Sequence, residues 1–133
     1  MSARLLNSNP ILTNLSNQEL SYLQSASATR DQREFNVGIC DSNFNGQRVM
    51  HLSQKIHITH FFFGPAYPKH TFEGELSNST IIGWRIACTR PFEDNNGGEW
   101  KRINRTIGTS HYKFLVTSCF MRDLDWEIDI YYI

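Results

Sequence analysis

Five histidines, three cysteines and thirteen acidic residues are the groups in this sequence able to carry acid–base, nucleophilic or metal chemistry. His57 and His60 stand three apart in a segment that reads as a strand. That spacing sends them to opposite faces, which does not suit a shared metal. The other histidines, His51, His70 and His111, have no such neighbour. Cys40, Cys88 and Cys119 are widely spaced and odd in number, and no CxxC pair occurs. Neither a zinc site nor a disulfide framework follows, so the cysteines read as small buried hydrophobes. A Cys/His pair can meet only through the fold, and no motif around any cysteine supports one. Two carboxylate pairs, Glu93-Asp94 and Asp123/Asp125, fall in loops where solvation is the ordinary outcome. GxSxG, HExxH, P-loop and GxGxxG motifs are all missing. The expectation is a protein that is not an enzyme and has neither cofactor nor metal.

A different grouping is more informative. Asp94, Asn95 and Asn96 precede Trp100, and Met121-Arg122-Asp123 lies between the last two strand-like segments. Planar polar side chains can bridge adjacent sugar hydroxyls, and an aromatic face can meet a sugar's C–H patch. These loops therefore suit carbohydrate, although each residue is also ordinary turn chemistry.

Several elements must position them. Asn9-Pro10 fits a helix start with Pro at its first position. Ser16-Asn17-Gln18-Glu19 fits a capping box with Leu15 and Leu20 as its hydrophobic staple, so the reading places a helix over about 17–27. Such a helix is too short to persist alone and must cap the domain or serve assembly. From Phe35 the hydrophobic period becomes two. Strand-like segments follow at Phe35–Ile39, Lys55–Phe63, His70–Leu76, Ile81–Cys88 and Trp100–Ile107. The cleanest are the last two. Tyr112, Phe114, Val116 and Phe120 share one face, as do Trp126, Ile128, Ile130 and Tyr132. Turns intervene at Asp41–Gly46 and Asp94–Gly98. The expected fold is mainly β: an antiparallel sandwich of about six or seven strands. Residues 1–32 form a short helical segment in front of it, and 33–133 form the β domain.

Composition narrows the partners. The chain is 133 residues long with 40% apolar residues, enough for one core. Lysine plus arginine equals aspartate plus glutamate, so the formal net charge is zero. A general grip on nucleic-acid phosphates or on an anionic membrane is disfavoured. No apolar run approaches the ~20 residues of a membrane span. The first residues lack a signal peptide's apolar stretch, so a cytoplasmic origin is expected, with unconventional secretion as the route out. Sequons at Asn14, Asn78 and Asn104 then stay unmodified.

Three stretches carry a family resemblance: Phe35-Asn-Val-Gly-Ile-Cys-Asp41, Tyr112-Lys-Phe-Leu-Val-Thr-Ser-Cys-Phe120 and Trp126-Glu-Ile-Asp-Ile-Tyr-Tyr-Ile133. From Phe35 to Ile133 the layout resembles the H-type lectin domain of snail agglutinin and the discoidin C-terminal domain. The resemblance implies a module that binds glycans or glycoproteins and assembles as a homo-oligomer, a trimer in that family. Either Arg85 or Arg102 would correspond to the family's sugar-contacting arginine. Where the family carries a Trp and an Asp, or His and Asn, after its penultimate strand, this chain has Met121-Arg122-Asp123, without His. Packing of three chains would cover Leu115 and Ile133.

The alternative is a β-sandwich that binds a protein partner, such as a viral or effector module. Phe61-Phe62-Phe63 motivates it. Alternate side chains of a strand oppose one another, so three consecutive phenylalanines cannot all enter one core.

Overall fold

The computed structural model describes residues 10–21, 25–91 and 96–133. Among the described residues it is mainly β, with one helix, α1 (Pro10–Ser21). The described strands follow in chain order: β1 (Ser25–Thr29), β2 (Glu34–Gly38), β3 (Asn43–Phe44), β4 (Gln47–Arg48), β5 (Met50–Ile58), β6 (Lys69–Glu75), β7 (Ile81–Cys88), β8 (Asn96–Arg102), β9 (His111–Thr117) and β10 (Leu124–Tyr132). Two four-stranded antiparallel sheets, ordered β1-β8-β9-β6 and β2-β7-β10-β5, pack face to face as the expected sandwich.

Alternation builds the core. Tyr112, Phe114 and Val116 of β9 point inward and meet Leu124, Trp126, Ile128 and Ile130 of β10 in one buried cluster. Trp84, Trp100 and Phe114 meet edge-on or tilted at its centre, with ring centroids 5.0 to 6.3 Å apart. Asp125, Glu127 and Asp129 take the alternate positions of β10 and line the outer face. Strand β7 is buried on both sides at its start. Its outward Ile82 is covered by Leu12 of α1, by Phe44 of the β3–β4 hairpin and by Val49, which follows β4. That hairpin turns through Asn45 and Gly46, both at positive φ, as an Asn-Gly turn requires.

Strands β2 and β7 approach unusually closely where Gly38 pairs with Gly83. A Cβ on Gly83 would lie 2.3 Å from the Ile39 carbonyl oxygen. Gly83→Ala is therefore expected to cost about 1–3 kcal/mol or more, read as a lower urea midpoint. An unchanged midpoint would mean that β2 moves aside freely.

The N-terminal reading is corrected in two ways. The helix runs from Pro10 to Ser21, rather than over about 17–27. Pro10 is its start, and Ser16 and Glu19 are interior and buried, not caps. Leu20, expected in a staple, is 56% exposed, while Leu12 is the helix's anchor. Secondly, Ser25–Thr29 is an edge strand on β8, so the sandwich begins before residue 33. This Ser-Ala-Ser-Ala-Thr segment buries only Ala28, too little apolar signal to register as periodic. Ile133, for which the resemblance implied cover by neighbouring chains, packs against the Leu12 cluster within the same chain.

The two ends of the sandwich are finished differently. At one end α1 lies over the close of β8 and the 103–110 loop. There the buried Glu19 carboxylate accepts from Trp84 Nε1 and from the Thr106 and Ile107 amides, and pairs with Arg102 at 3.5 Å. At the other end the 59–68 and 118–123 loops cross between the sheets, uncovered by any helix among the described residues.

Candidate functional site

The residues expected to bind carbohydrate do not converge. Trp100 is 1% exposed, in the centre of the core, where no ligand reaches it. Arg102 is buried too, and holds Glu19 and the Asn104 carbonyl at the helix end. The polar–aromatic reading of that loop fails at Trp100 because β8 turns its indole inward. Asp94 and Asn95 lie outside the described residues, and Asn96 opens β8 opposite Thr29. Arg85 sits on the outer face of β7, bonded to Glu34 (2.6 Å), Glu127 (3.1 Å) and Asp129 (2.7 Å). Its guanidinium is thus a clasp across β2, β7 and β10. Among the described candidates, Arg122 and Asp123 lie on the 118–123 loop at the uncovered end, and Asn96 opens β8 at that same end.

The outer face around Arg85 is a ladder of charges. His51 bonds Asp129 at 2.6 Å and stacks on Tyr131, and His57 bonds Asp125. Cys40 lies beside this network, its thiol 3.5 Å from the Trp84 carbonyl. Burial, then the nearby carboxylates, push that thiol up to about 11. It is therefore protonated and weakly nucleophilic at neutral pH. Among the described residues no three His, Cys, Asp or Glu side chains gather as metal ligands would.

Burial alone would raise the Asp129 carboxyl. Hydrogen bonds from His51, Arg85 and Ser53 outweigh it and hold the group below its ordinary value. The stabilisation is therefore present above that ordinary value, near ~4, and is lost as pH falls through the lower folded value. Asp129→Asn should be less stable than the parent at neutral pH, and the gap in urea midpoint should narrow as pH falls below the ordinary carboxylate range. A gap independent of pH would contradict this. His57 is raised by its bond to Asp125 and works in the opposite sense, its contribution fading as pH rises.

The uncovered end has another character. Phe61, Phe62 and Phe63 are 67%, 81% and 96% exposed. Strand β5 stops at Ile58, so the run is a loop tip rather than the end of the expected strand. Gly64 donates to the Phe61 carbonyl, closing a turn, and Pro65 and Pro68 prevent the ladder from continuing. Tyr67 and Phe120 approach at 5.5 Å, and Met121 follows; all three are exposed. Phe120 was expected on the inner face with Tyr112, but β9 ends at Thr117 and the chain turns away first.

These loops are braced to each other. The Ser118 amide donates to the Pro68 carbonyl at 2.8 Å, and the Met121 amide to Ala66 at 2.7 Å. The His60 amide donates to Asp123 Oδ1 at 2.8 Å, and the Ser118 hydroxyl to the Asp123 carbonyl. Asp123 is thus a brace between loops. Met121 has φ 54°, a left-handed conformation that costs a non-glycine residue about 1 kcal/mol or more. The bond to Ala66 holds it there, and the turn leaves Phe120 and Met121 facing solvent. Beneath Phe61 a shallow recess of about 180 Å³ is lined by Ile58, His60, Pro65 and Pro68. No family model matches the chain, and no curated protein or solved structure matches it.

The arrangement offers apolar contact at a tip whose flanks are braced to the neighbouring loop. Sequence reasoning singled out the phenylalanine run, passed over Tyr67, read Phe120 as an inward residue and took Met121 only as part of the Met121-Arg122-Asp123 loop. Tyr67 was signalled by its flanking prolines. Phe120 continued the alternation of β9, and nothing local marks where that strand leaves the sheet.

Proposed function

We propose that this chain is a non-enzymatic binding module that engages its partner with the braced aromatic end. The observation that carries the reading is the exposure of three consecutive phenylalanines on a loop fixed by backbone bonds to its neighbour. Solvent exposes scattered single hydrophobes at little cost, but a contiguous apolar cluster marks an interaction site. Aromatic side chains are enriched where partners bury surface. Phe62→Ser is expected to abolish partner binding while leaving the melting midpoint in place. A large fall in that midpoint would mark Phe62 as structural.

A glycan partner is the second reading. Its support is the Tyr67–Phe120 pair beside Arg122 and Asp123, a ring platform next to planar polar groups. In that reading the module assembles as a homo-oligomer, as the lectin resemblance implies. A glycan array run beside light scattering tests both parts. Silence on the array together with a strict monomer would remove it.

A further inference from the structure

We propose that the partner of the aromatic end is the headgroup–acyl boundary of a phospholipid bilayer, into which Phe62 and Phe63 insert. The inference rests on the binding reading above and names its partner.

The shape of the tip favours a bilayer over a protein. Phe63 is 96% exposed and meets Phe62 edge-on, with centroids 5.1 Å apart. The two rings pack edge to face at a narrow turn instead of forming a flat platform. Each large aromatic side chain presents about 150–250 Å². At the observed exposures the run offers roughly 400–600 Å², below the ~800 Å² that each partner commits to a standard protein interface. A second copy of this chain would therefore gain too little from the tip alone. A bilayer needs no matching groove, since its fluid boundary closes around an inserted ring. Binding there grows with the apolar area buried.

Two further features agree. The tip is held before contact by the Gly64, Ser118 and Met121 amides, so little ordering is required on insertion. The same end also exposes Tyr67, Phe120 and Met121, with exposed Lys69 and Arg122 next to them in sequence or in the recess beside Phe61. Amphipathic rings such as that of Tyr67 favour the headgroup level. Among the described residues no helix is long and apolar enough to cross a membrane, so the contact is an insertion of a loop. The formal net charge of zero removes general electrostatic attraction, so neutral lipid should suffice.

The test is co-flotation of the full chain with phosphatidylcholine vesicles at low and high salt. Co-flotation that salt leaves unchanged is expected, and each phenylalanine replaced by serine should weaken it about tenfold or more. Because Trp84, Trp100 and Trp126 are all buried, Phe63→Trp adds one exposed reporter. Its emission should shift to shorter wavelength with vesicles and be quenched by brominated lipid. The inference is overturned if the parent does not float, if the double serine variant floats equally, or if the Phe63→Trp emission ignores vesicles. Glycan binding or self-association that the same variant abolishes, without flotation, would overturn the lipid partner and leave the binding reading standing.

Discussion

Glu19→Ala will destabilise the domain by about 3–5 kcal/mol, the largest single effect expected outside the aromatic core. The Glu19 side chain is fully buried and accepts from Trp84 Nε1, the Thr106 amide and the Ile107 amide. It also faces the Arg102 guanidinium, whose side chain is 5% exposed. Truncation leaves a buried cation without its anion and three donors without their acceptor. Each orphaned donor costs about 1–3 kcal/mol of desolvation, less whatever water enters. Glu19→Gln keeps the shape but turns an amide N–H toward another donor or toward Arg102, so it should recover only part of the loss. Denaturant unfolding of the three proteins checks this. A loss below about 1 kcal/mol would show that α1 is an ornament rather than the closure of that end. Glu19 and the phenylalanine loop stand at opposite ends, so the folded fraction of the variant should still bind.

The serine replacements at Phe62 and Phe63 are the complement: a large effect on binding with a negligible one on stability. Exposed positions without special backbone or hydrogen-bond roles change stability by about 0.5 kcal/mol or less. A phenylalanine of the core behaves otherwise. Phe114→Ala removes a fully buried ring packed on Trp84 and Trp100 and should cost about 3–5 kcal/mol. If Phe62→Ser behaved like Phe114→Ala, the loop would be part of the core and the uncovered end would lose its meaning as a binding surface. The separation of the two effects is what distinguishes a surface kept apolar for a partner from one kept apolar for folding.

The β-sandwich was legible because alternation is a local signal. In β9 and β10 every second residue is apolar over a full strand, and the structure buries those residues. The near-continuous apolar run of β7 likewise matched its burial, and the Asn-Gly turn its hairpin. Other features depended on distant partners. Ser25–Thr29 becomes a strand because β8 offers an edge, and no periodicity announces that. Ser16 and Glu19 have the spacing of a capping box, yet Glu19 serves donors more than sixty residues away. Arg85 and Arg102 looked alike in sequence; one is a surface clasp among three carboxylates and the other a buried counter-ion. The phenylalanine run was legible as an anomaly. Its company with Tyr67, Phe120 and Met121 arises from two loops bonded across the sheets, which no local pattern encodes.

The most direct measurement is the equilibrium association of the parent and the Phe62→Ser, Phe63→Ser variant with three defined probes: neutral phospholipid vesicles, a glycan array, and the protein itself by light scattering. The expected result is that the parent associates with at least one of them and that the variant does so at least about tenfold more weakly. The variant's melting midpoint should stay within about 2 °C of the parent's. Equal association by both proteins, or a parent that engages none of the three, would contradict a binding surface at the aromatic end.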